Sequence, residues 1–402
     1  MPVVTQEIAF LLLIFALMVV PRLVQRLRIP SPLTSFALGL AATLMLGSYA
    51  AEPTLSLLAT LGISSLFLFA GLEIELDDFR RGRWPLIHHL AMRAVALAAL
   101  TWLSMQWLDP RWQVGVLLAL AVLTPSAGFI LDTLPMLDIS ESERYWVRMK
   151  AVTGELFALG LLFVVLQSGS IANLAWSTAA LAAMIVALPL IYIGLGRAVI
   201  PHARGSEFSL LVMVGVIAAF LTYKLGVYYL VGAFLAGFIA KLLHRRVPTF
   251  ASPQNLHAIR MFASFFVPFY FFHRGMGVPS GALTLQALGV GLTLTTVALP
   301  LRIGLVWAQR RFIKGESSGE SLRVAAALTP TLIFTLVLAS ILRERFQLGD
   351  ALYGGLLIYA GMSTLLPSMM MARPVDFDLL PDTLPMPADP ASGADRPDTA
   401  LR

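Results

Sequence analysis

Long apolar runs separated by short polar joins follow one another along almost the whole chain. A membrane-spanning helix needs about 20 apolar residues, and about thirteen runs in the sequence approach that length. Because most joins are short, successive helices are expected to be antiparallel neighbours, and the pattern predicts an all-α polytopic membrane protein. The predicted spans are 7–24, 31–48, 53–74, 85–107, 112–134, 150–168, 172–196, 206–223, 226–243, 259–278, 282–309, 321–342 and 350–372.

The composition favours a membrane protein over a soluble one. The chain has 402 residues, of which 58% are hydrophobic and 13% charged, whereas a soluble domain is roughly 45–50% apolar and about 25% charged. The net charge of +6 is explained by loop Lys and Arg rather than by a nucleic-acid partner. Residues 373–402 are rich in Pro, Asp and Ala, and they are predicted to be a disordered tail.

The distribution of Lys and Arg predicts how the chain is oriented. If the N-terminus is outside, the inner loops hold twenty of these residues and the outer loops hold four. Positive charges concentrate on the cytoplasmic side of membrane proteins. The C-terminus is therefore expected in the cytoplasm. The apolar start has no basic residue before it, so it is interpreted as a retained first span rather than a cleaved signal.

Two predicted spans carry the same short motif, Leu-Thr-Pro followed by Ser or Thr. They are the fifth and the twelfth, so they cross the membrane in opposite directions. Proline removes a backbone donor and breaks a helix, and paired broken helices in inverted repeats point to the central site of a transporter. The alternative is that both are ordinary proline kinks. The motif residues are Thr124, Pro125, Ser126, Thr329, Pro330 and Thr331.

Glu155 is the one acid within an otherwise apolar run that extends from residue 151 to residue 166. An acid at mid-bilayer costs roughly +2.5 to +3.5 kcal/mol, so such residues usually face a protein interior or a water-filled path. A carboxyl group held there can bind and release protons near neutral pH. The alternative is that Glu155 pairs with Arg148 or Lys150 at the level of the lipid headgroups. Glu155 is the predicted exchanging group.

Other charged residues in the predicted spans have two interpretations each. Arg302 either neutralises Glu155 when no ion is bound or extends toward the inner face, as long basic side chains do. Asp132 either lies in the inner mouth of a pathway or caps the loop that follows it. Arg93 and Glu73 are interpreted as members of structural ion pairs. No phosphate-binding loop, dinucleotide fingerprint or hydrolase motif is present, so neither an enzyme nor a cofactor is expected.

Five segments, taken in chain order, resemble a known family. They are LFLFAGLEIEL at 66–76, LTPSAGFIL at 123–131, VGAFLAGFIA at 231–240, FFVPFYFFHRGMGV at 265–278 and STLLPSMMM at 363–371. Together they are similar to segments of the bacterial monovalent cation:proton antiporters of the sodium/hydrogen exchanger fold. The matches extend over nearly the whole predicted membrane region.

The resemblance implies a homodimer of twelve- or thirteen-helix subunits in the bacterial inner membrane. In this family a core domain with two crossed broken helices moves past a dimerisation domain. By position the transmembrane domain would be residues 1–372, with the core at about 85–168 and 282–372 and the dimerisation helices before and between these segments. An acid after the first broken helix binds cation and proton in turn; here it would be Glu155. Gly154 departs from the family's usual Asp, Asn or Gln, and residues 331–333 depart from a frequent Arg-Gly-Glu.

The sequence therefore predicts antiport of Na⁺ or K⁺ against H⁺. One titrating acid would make the exchange one-for-one and electroneutral, with cation ligands from Glu155, Thr124, Ser126, Thr329, Thr331 and freed carbonyl oxygens. Two alternatives stay open. The chain could be a symporter or organic-anion carrier on the same fold, because broken-helix N-termini attract anions. It could also be a transport-inactive membrane receptor or assembly partner, given the acids that it lacks.

Overall fold

The computed structural model describes residues 3–46, 53–74, 82–203, 205–225 and 229–371, and within these ranges it contains helices and no strand. Each predicted span falls on a helix or on a pair of helices. The predicted tail, 373–402, lies outside the described residues. The helices are α1 Val3–Val24, α2 Ser31–Leu46, α3 Pro53–Leu72, α4 Arg83–Trp107, α5 Trp112–Leu123, α6 Ala127–Thr133, α7 Glu141–Gln167, α8 Ile171–Ala198, α9 Glu207–Lys224, α10 Tyr229–Leu242, α11 Pro253–Met276, α12 Leu285–Ala308, α13 Ser318–Ala327, α14 Leu332–Phe346 and α15 Asp350–Met371.

The helices have the length and composition of a multi-pass membrane protein. Within the described ranges, nine elements are long and apolar enough to cross a membrane, and ten if the bent pair α13 and α14 counts as one span. Two shorter apolar helices lie at Ser31–Leu44 and Leu230–Leu242. The all-α polytopic fold is confirmed, whereas the exact number of thirteen spans stays a prediction.

The more extensive helix contacts fall into two sets. In the first set, α3 packs against α10 and α11, α2 packs against α11, and α9 packs against α10. In the second set, α12 packs against α13 and α15, α5 packs against α4 and α14, and α7 contacts α4, α6 and α13. The helix α3 also contacts α6, so the two sets meet beside the first of the two breaks.

Glycines let the helices of the first set approach closely. A Cβ on Gly237 would overlap the carbonyl oxygen of Leu68, and a Cβ on Gly232 would overlap that of Ala218. Small residues at helix interfaces in membranes allow this kind of backbone contact. Gly232 and Gly237 therefore allow α10 to pack directly against α9 and α3.

Both Leu-Thr-Pro motifs interrupt their helices. Helix α5 ends at Leu123, and Thr124 and Ser126 have extended backbones before α6 begins. In the second motif the chain bends by 46° between α13 and α14. Proline cannot donate the hydrogen bond that a continuous helix requires, which accounts for a break at each motif. The predicted pair of broken helices is confirmed.

Helix α7, which carries Glu155, has a strong start and no break. Ser140 caps it: the Ser140 hydroxyl accepts from the Glu143 N–H at 3.3 Å, and Glu143 Oε2 accepts from the Ser140 N–H at 2.7 Å. This reciprocal capping box satisfies two backbone donors that the helix leaves free. Glu143 Oε1 also accepts a 2.7 Å hydrogen bond from Arg323 on α13. The start of α7 is thus tied to the first half of the second broken span.

Candidate functional site

The two breaks lie in direct contact. The Ser126 N–H donates to the Pro330 carbonyl at 2.8 Å, and the Ser126 hydroxyl accepts from the Phe334 N–H at 3.1 Å. The Thr335 hydroxyl donates to the Ala121 carbonyl at 2.7 Å. All five residues are buried. Backbone groups freed by the prolines are therefore satisfied by the opposite span, as membrane depth requires.

Glu155 faces this crossing from α7. Its side chain is buried, with 1% of the residue exposed, and Oε2 accepts a 3.0 Å hydrogen bond from the N–H of Ala127. Ala127 is the first residue of α6, where main-chain N–H groups have no partner within their own helix. The other oxygen, Oε1, has no hydrogen-bond partner among the described residues. A buried charge is costly unless it is paired, so the carboxyl group needs either a proton or a positive charge close by.

The alternative pairing of Glu155 with a basic residue of its own helix is not found. Among the ion pairs between described residues, none joins Glu155 to Arg148 or Lys150. Lys150 is fully buried and donates instead to Oε1 of Gln309. The Gln309 amide in turn donates to the Pro85 carbonyl at 2.7 Å. Lys150 thus contributes to the attachment of α7 to α4 and to the residues after α12.

The four hydroxyl residues predicted as cation ligands all lie at the crossing, in two different states. Thr124 is completely buried, and its hydroxyl has no hydrogen-bond partner within the described part of the chain. The Thr329 hydroxyl donates to the Ser363 carbonyl at 3.0 Å, and the Thr331 and Ser363 hydroxyls are 3.0 Å apart. Ser126 is bonded to the second break. Thr124 is therefore the one of the four with an uncommitted side-chain oxygen.

Arg302 binds the second broken span rather than an acid. Its Nη1 donates to the Thr329 carbonyl at 2.8 Å and to the Tyr359 hydroxyl at 2.9 Å, and its Nη2 donates to the Leu328 carbonyl at 2.9 Å. Tyr359 donates to the Val122 carbonyl at 2.7 Å. A cation is favourable at the carbonyl end of a helix, here the end of α13. Through Tyr359, Arg302 also connects the second break to the first.

Neither interpretation of Arg302 drawn from the sequence describes this arrangement. No ion pair between Arg302 and Glu155 is present among the described residues. The side chain does not extend toward the inner face either, because its guanidinium donates to groups inside the protein. Only 7% of the Arg302 surface is exposed, and these hydrogen bonds offset the cost of burying its charge.

Arg93 belongs to the site, which the sequence interpretation missed. Its Nη2 donates a 2.6 Å hydrogen bond to the Leu123 carbonyl at the end of α5. The expected structural ion pair is found for Glu73, with Arg260 at 2.8 Å, but Arg93 has this carbonyl contact instead. One signal was available: Arg93 lies in the span before the first break, as Arg302 lies in the span before the second.

A cavity of about 250 Å³ lies beside the crossing. Its lining includes Gly128 and Phe129 of α6, Ile333 of α14, and Asp132 and Arg260 toward the solvent. Gly128 directly follows Ala127, the residue that donates to Glu155. Asp132, the predicted mouth residue, therefore lines the same cavity as Gly128, and its role at the mouth of a pathway stays a prediction.

Comparisons with known proteins agree with this architecture. A family model described as "Sodium/hydrogen exchanger, transmembrane" matches residues 11–375. The chain is similar to the sodium proton antiporter MjNhaP1 from Methanocaldococcus jannaschii at pH 8, with a TM-score of 0.62, 16% identity, and coverage of 92% of this chain and 96% of that one. An electron-microscopy structure of the same antiporter gives a TM-score of 0.63 and 15% identity over 92% and 95% of the two chains. No curated protein matches the sequence. At these identities the structural similarity establishes the fold.

Proposed function

Since the chain belongs to the sodium/hydrogen exchanger family, we propose that it is a secondary active antiporter that exchanges a monovalent cation, Na⁺ or K⁺, for H⁺. Exchange would take place by alternating access, in the inner membrane of a bacterium. The protein would act as a homodimer with its N-terminus outside and its C-terminus in the cytoplasm. Apolar side chains exposed on the helices, such as Phe15, Trp102 and Leu190, would contact lipid.

The observation that carries the proposal is the buried carboxyl group of Glu155 at the contact of two broken helices. One of its oxygens accepts from Ala127, and the other has no hydrogen-bond partner among the described residues. A proton on that oxygen would neutralise the group. A cation bound there would do the same, so the two ions would exclude each other, which is the requirement for antiport.

The cation would take oxygen ligands. The unpartnered oxygens of Glu155 and Thr124 are the strongest candidates, because no hydrogen bond within the described residues has to be broken to use them. Hard monovalent and divalent cations prefer such oxygen donors. Ser126, Thr329 and Thr331 would hold the crossing in shape, because their hydroxyl and carbonyl oxygens already take part in hydrogen bonds. In this proposal Arg302 supports the second break.

The proposed stoichiometry depends on Glu155 being the one acid at the crossing among the described residues. Glu155 would carry one proton in one direction and one cation in the other, so each cycle would move no net charge. If the N-terminus is outside, the cavity that Asp132 and Arg260 line would face the cytoplasm. The structure would then represent the inward-facing conformation, in which the site exchanges ions with the cell interior.

Flux through reconstituted protein tests the proposal. Proteoliposomes with a pH-sensitive dye inside are given Li⁺, Na⁺ or K⁺, between about pH 6 and about pH 9, the range over which a buried carboxyl group would titrate. We expect cation-driven proton movement that is insensitive to membrane potential. Glu155→Gln, which keeps the size and the acceptor for Ala127, should abolish it, and Glu155→Asp should retain part of it. Exchange that survives Glu155→Ala would rule out the role of Glu155. Carboxylate uptake without proton exchange would instead support an anion carrier.

A further inference from the structure

The space beside Gly154 is filled by the guanidinium group of Arg93. A Cβ added to Gly154 would lie 2.6 Å from Nη1 of Arg93 and 3.1 Å from its Cζ. Any side chain at this position would have to displace the guanidinium group. The guanidinium group of Arg93 thus occupies the space that a side chain on Gly154, the residue before Glu155, would need. Among the described residues Arg93 and Glu155 do not form a direct ion pair, so the interaction between their charges acts at longer range.

Arg93 is only partly satisfied by its bond to the protein backbone. Nη2 donates to the Leu123 carbonyl, but Nε is buried and has no hydrogen-bond partner within the described ranges. A carbonyl contact orients a guanidinium group without balancing its charge, and an uncompensated charge inside a protein is strongly destabilising. The described groups that interact electrostatically with Arg93 are Arg302, Glu155 and Tyr359, and Glu155 is the one carboxyl group among them.

The charges around Glu155 also point to Arg93 as its counterpart. Among the described residues, Arg93 is the one charged side chain that interacts electrostatically with it. Arg302 on α12 is committed to two carbonyls and Tyr359 of α15, and Lys150 on α7 is bonded to Gln309.

The remaining titratable neighbour is His89. It is buried and lies one turn before Arg93 on α4. The positive charges of Lys150 and Arg93 both interact electrostatically with its ring. His89, Arg93 and Arg302 line the same small cavity of about 40 Å³.

We propose that Arg93 is the fixed positive charge of the exchange site, which balances the Glu155 carboxylate when neither ion is bound. This inference rests on the proposed antiport function. The arriving proton or cation competes with Arg93 for the same negative charge. Arg93 therefore makes the site easier to empty, because it lowers the affinity of the carboxylate for both transported ions. It is a positioning residue that acts through Glu155 rather than an ion ligand.

Two substitutions separate this role from a purely structural one. Arg93→Gln removes the charge but keeps an amide that can donate to the Leu123 carbonyl, whereas Arg93→Lys keeps the charge. We expect Arg93→Gln to move the midpoint of the pH profile of exchange upward by about one unit or more. At alkaline pH it should lower the apparent KM for the cation about tenfold, which is the size expected when an opposite charge near a carboxylate is removed. Arg93→Lys should shift both by much less.

A glycine pair on α7 provides a matched control. Gly154→Ala should push the guanidinium group away and shift the pH midpoint in the same direction as Arg93→Gln. Gly160→Ala, on the same helix with no atom within 4 Å of the added Cβ, should leave the profile unchanged. In the Arg93→Gln background, Gly154→Ala should add little. If Arg93→Gln does not fold, the comparison of Gly154→Ala with Gly160→Ala decides the question.

The outcomes distinguish the two levels of the proposal. If the unmodified protein exchanges no cation for protons, the proposed function fails. If it does, but Arg93→Gln and Gly154→Ala change only the maximal rate and leave the pH midpoint and the KM as they were, then Arg93 is a structural cap of α5 and the inference is overturned. A shift shared by these two variants and absent from Gly160→Ala supports it.

Discussion

The main-chain N–H of Ser126 donates a 2.8 Å hydrogen bond to the carbonyl oxygen of Pro330, so each break is bonded to the other. The Ser126 side chain completes the join by accepting from the N–H of Phe334. The shape of the site consequently depends on contacts between two spans that are separated by about 200 residues in the chain.

Ser126→Ala should destabilise the protein. The substitution leaves the N–H of Phe334 buried without an acceptor, which costs about 1–3 kcal/mol. Thermal unfolding in detergent should show the loss. Ser126→Thr, which keeps the hydroxyl, serves as the control. An unchanged unfolding temperature for Ser126→Ala would mean that another group accepts from Phe334.

Thr124→Ala should affect cation affinity rather than stability. Its hydroxyl has no hydrogen-bond partner among the described residues, so its removal should change the unfolding temperature little. If it is a cation ligand, the apparent KM should rise several-fold, since a lost hydrogen bond or ligand of about 1 kcal/mol corresponds to roughly a fivefold change. Thr335→Val is the matched variant: it loses a bond to Ala121 and should affect stability more than KM. A KM unchanged in Thr124→Ala argues against the ligand role.

Arg302→Gln should weaken the connection between the two breaks. The variant loses most of the donors that reach Leu328, Thr329 and Tyr359, and bonds from charged donors contribute about 1.5–3 kcal/mol each. We expect lower thermal stability and a lower maximal rate, with the pH midpoint retained. Tyr359→Phe removes a related part of the connection, so the two losses should be less than additive in the double variant. Full additivity would show that the two residues act independently.

Gly237→Ala should disturb the seat of α10 on α3. The added Cβ would overlap the carbonyl oxygen of Leu68. Overpacking of this kind typically costs about 1–3 kcal/mol of folding stability, and occasionally more. Gly289→Ala on α12, with no atom within 4 Å of its Cβ, should be neutral or slightly stabilising, because Ala favours a helix over Gly. Comparison of their unfolding temperatures tests the packing, and equal temperatures would contradict it.

Asp109 provides a pH control away from the site. Hydrogen bonds from the Arg111 side chain hold the pKa of the Asp109 carboxyl below its usual range. A lowered pKa in the folded protein means that the pair stabilises above the unfolded value of about 3.9 and loses this effect only as the pH falls further. Asp109→Asn should therefore leave the pH profile of exchange between about pH 6 and about pH 9 unchanged. A shifted midpoint would show that this pair is coupled to transport.

The positions of the helices were predictable because each span has to bury its backbone polar groups within an apolar run. The breaks were predictable for the same kind of local reason: Pro125 and Pro330 cannot complete a helix. Glu155 was identifiable because an acid in such a run is exceptional. These signals all lie within a single span, where spacing along the chain determines the structure.

The identity of the charge next to Glu155 was not predictable in this way. Arg93 and Arg302 each lie on the helix that precedes a broken span, and both donate to carbonyl groups at the end of its first half. Only the packing of α4 against α7 shows that Arg93 fills the space left by Gly154. Likewise, four hydroxyl residues share the motifs, and only their partners on other helices show that Thr124 retains a spare oxygen.

The bond between Glu143 and Arg323 has a mechanical consequence. Glu143 and Glu155 lie on one uninterrupted helix, about 18 Å apart along its axis, and Arg323 lies on the half-helix that ends at the second break. Glu155 and the second break therefore lie on two helices, α7 and α13, that this ion pair joins. If the Glu155 carboxyl group moves between the two sides of the membrane during transport, α7 and α13 should move together. The distance between spectroscopic labels on α7 and α13 should therefore be the same in the inward-facing and the outward-facing conformations.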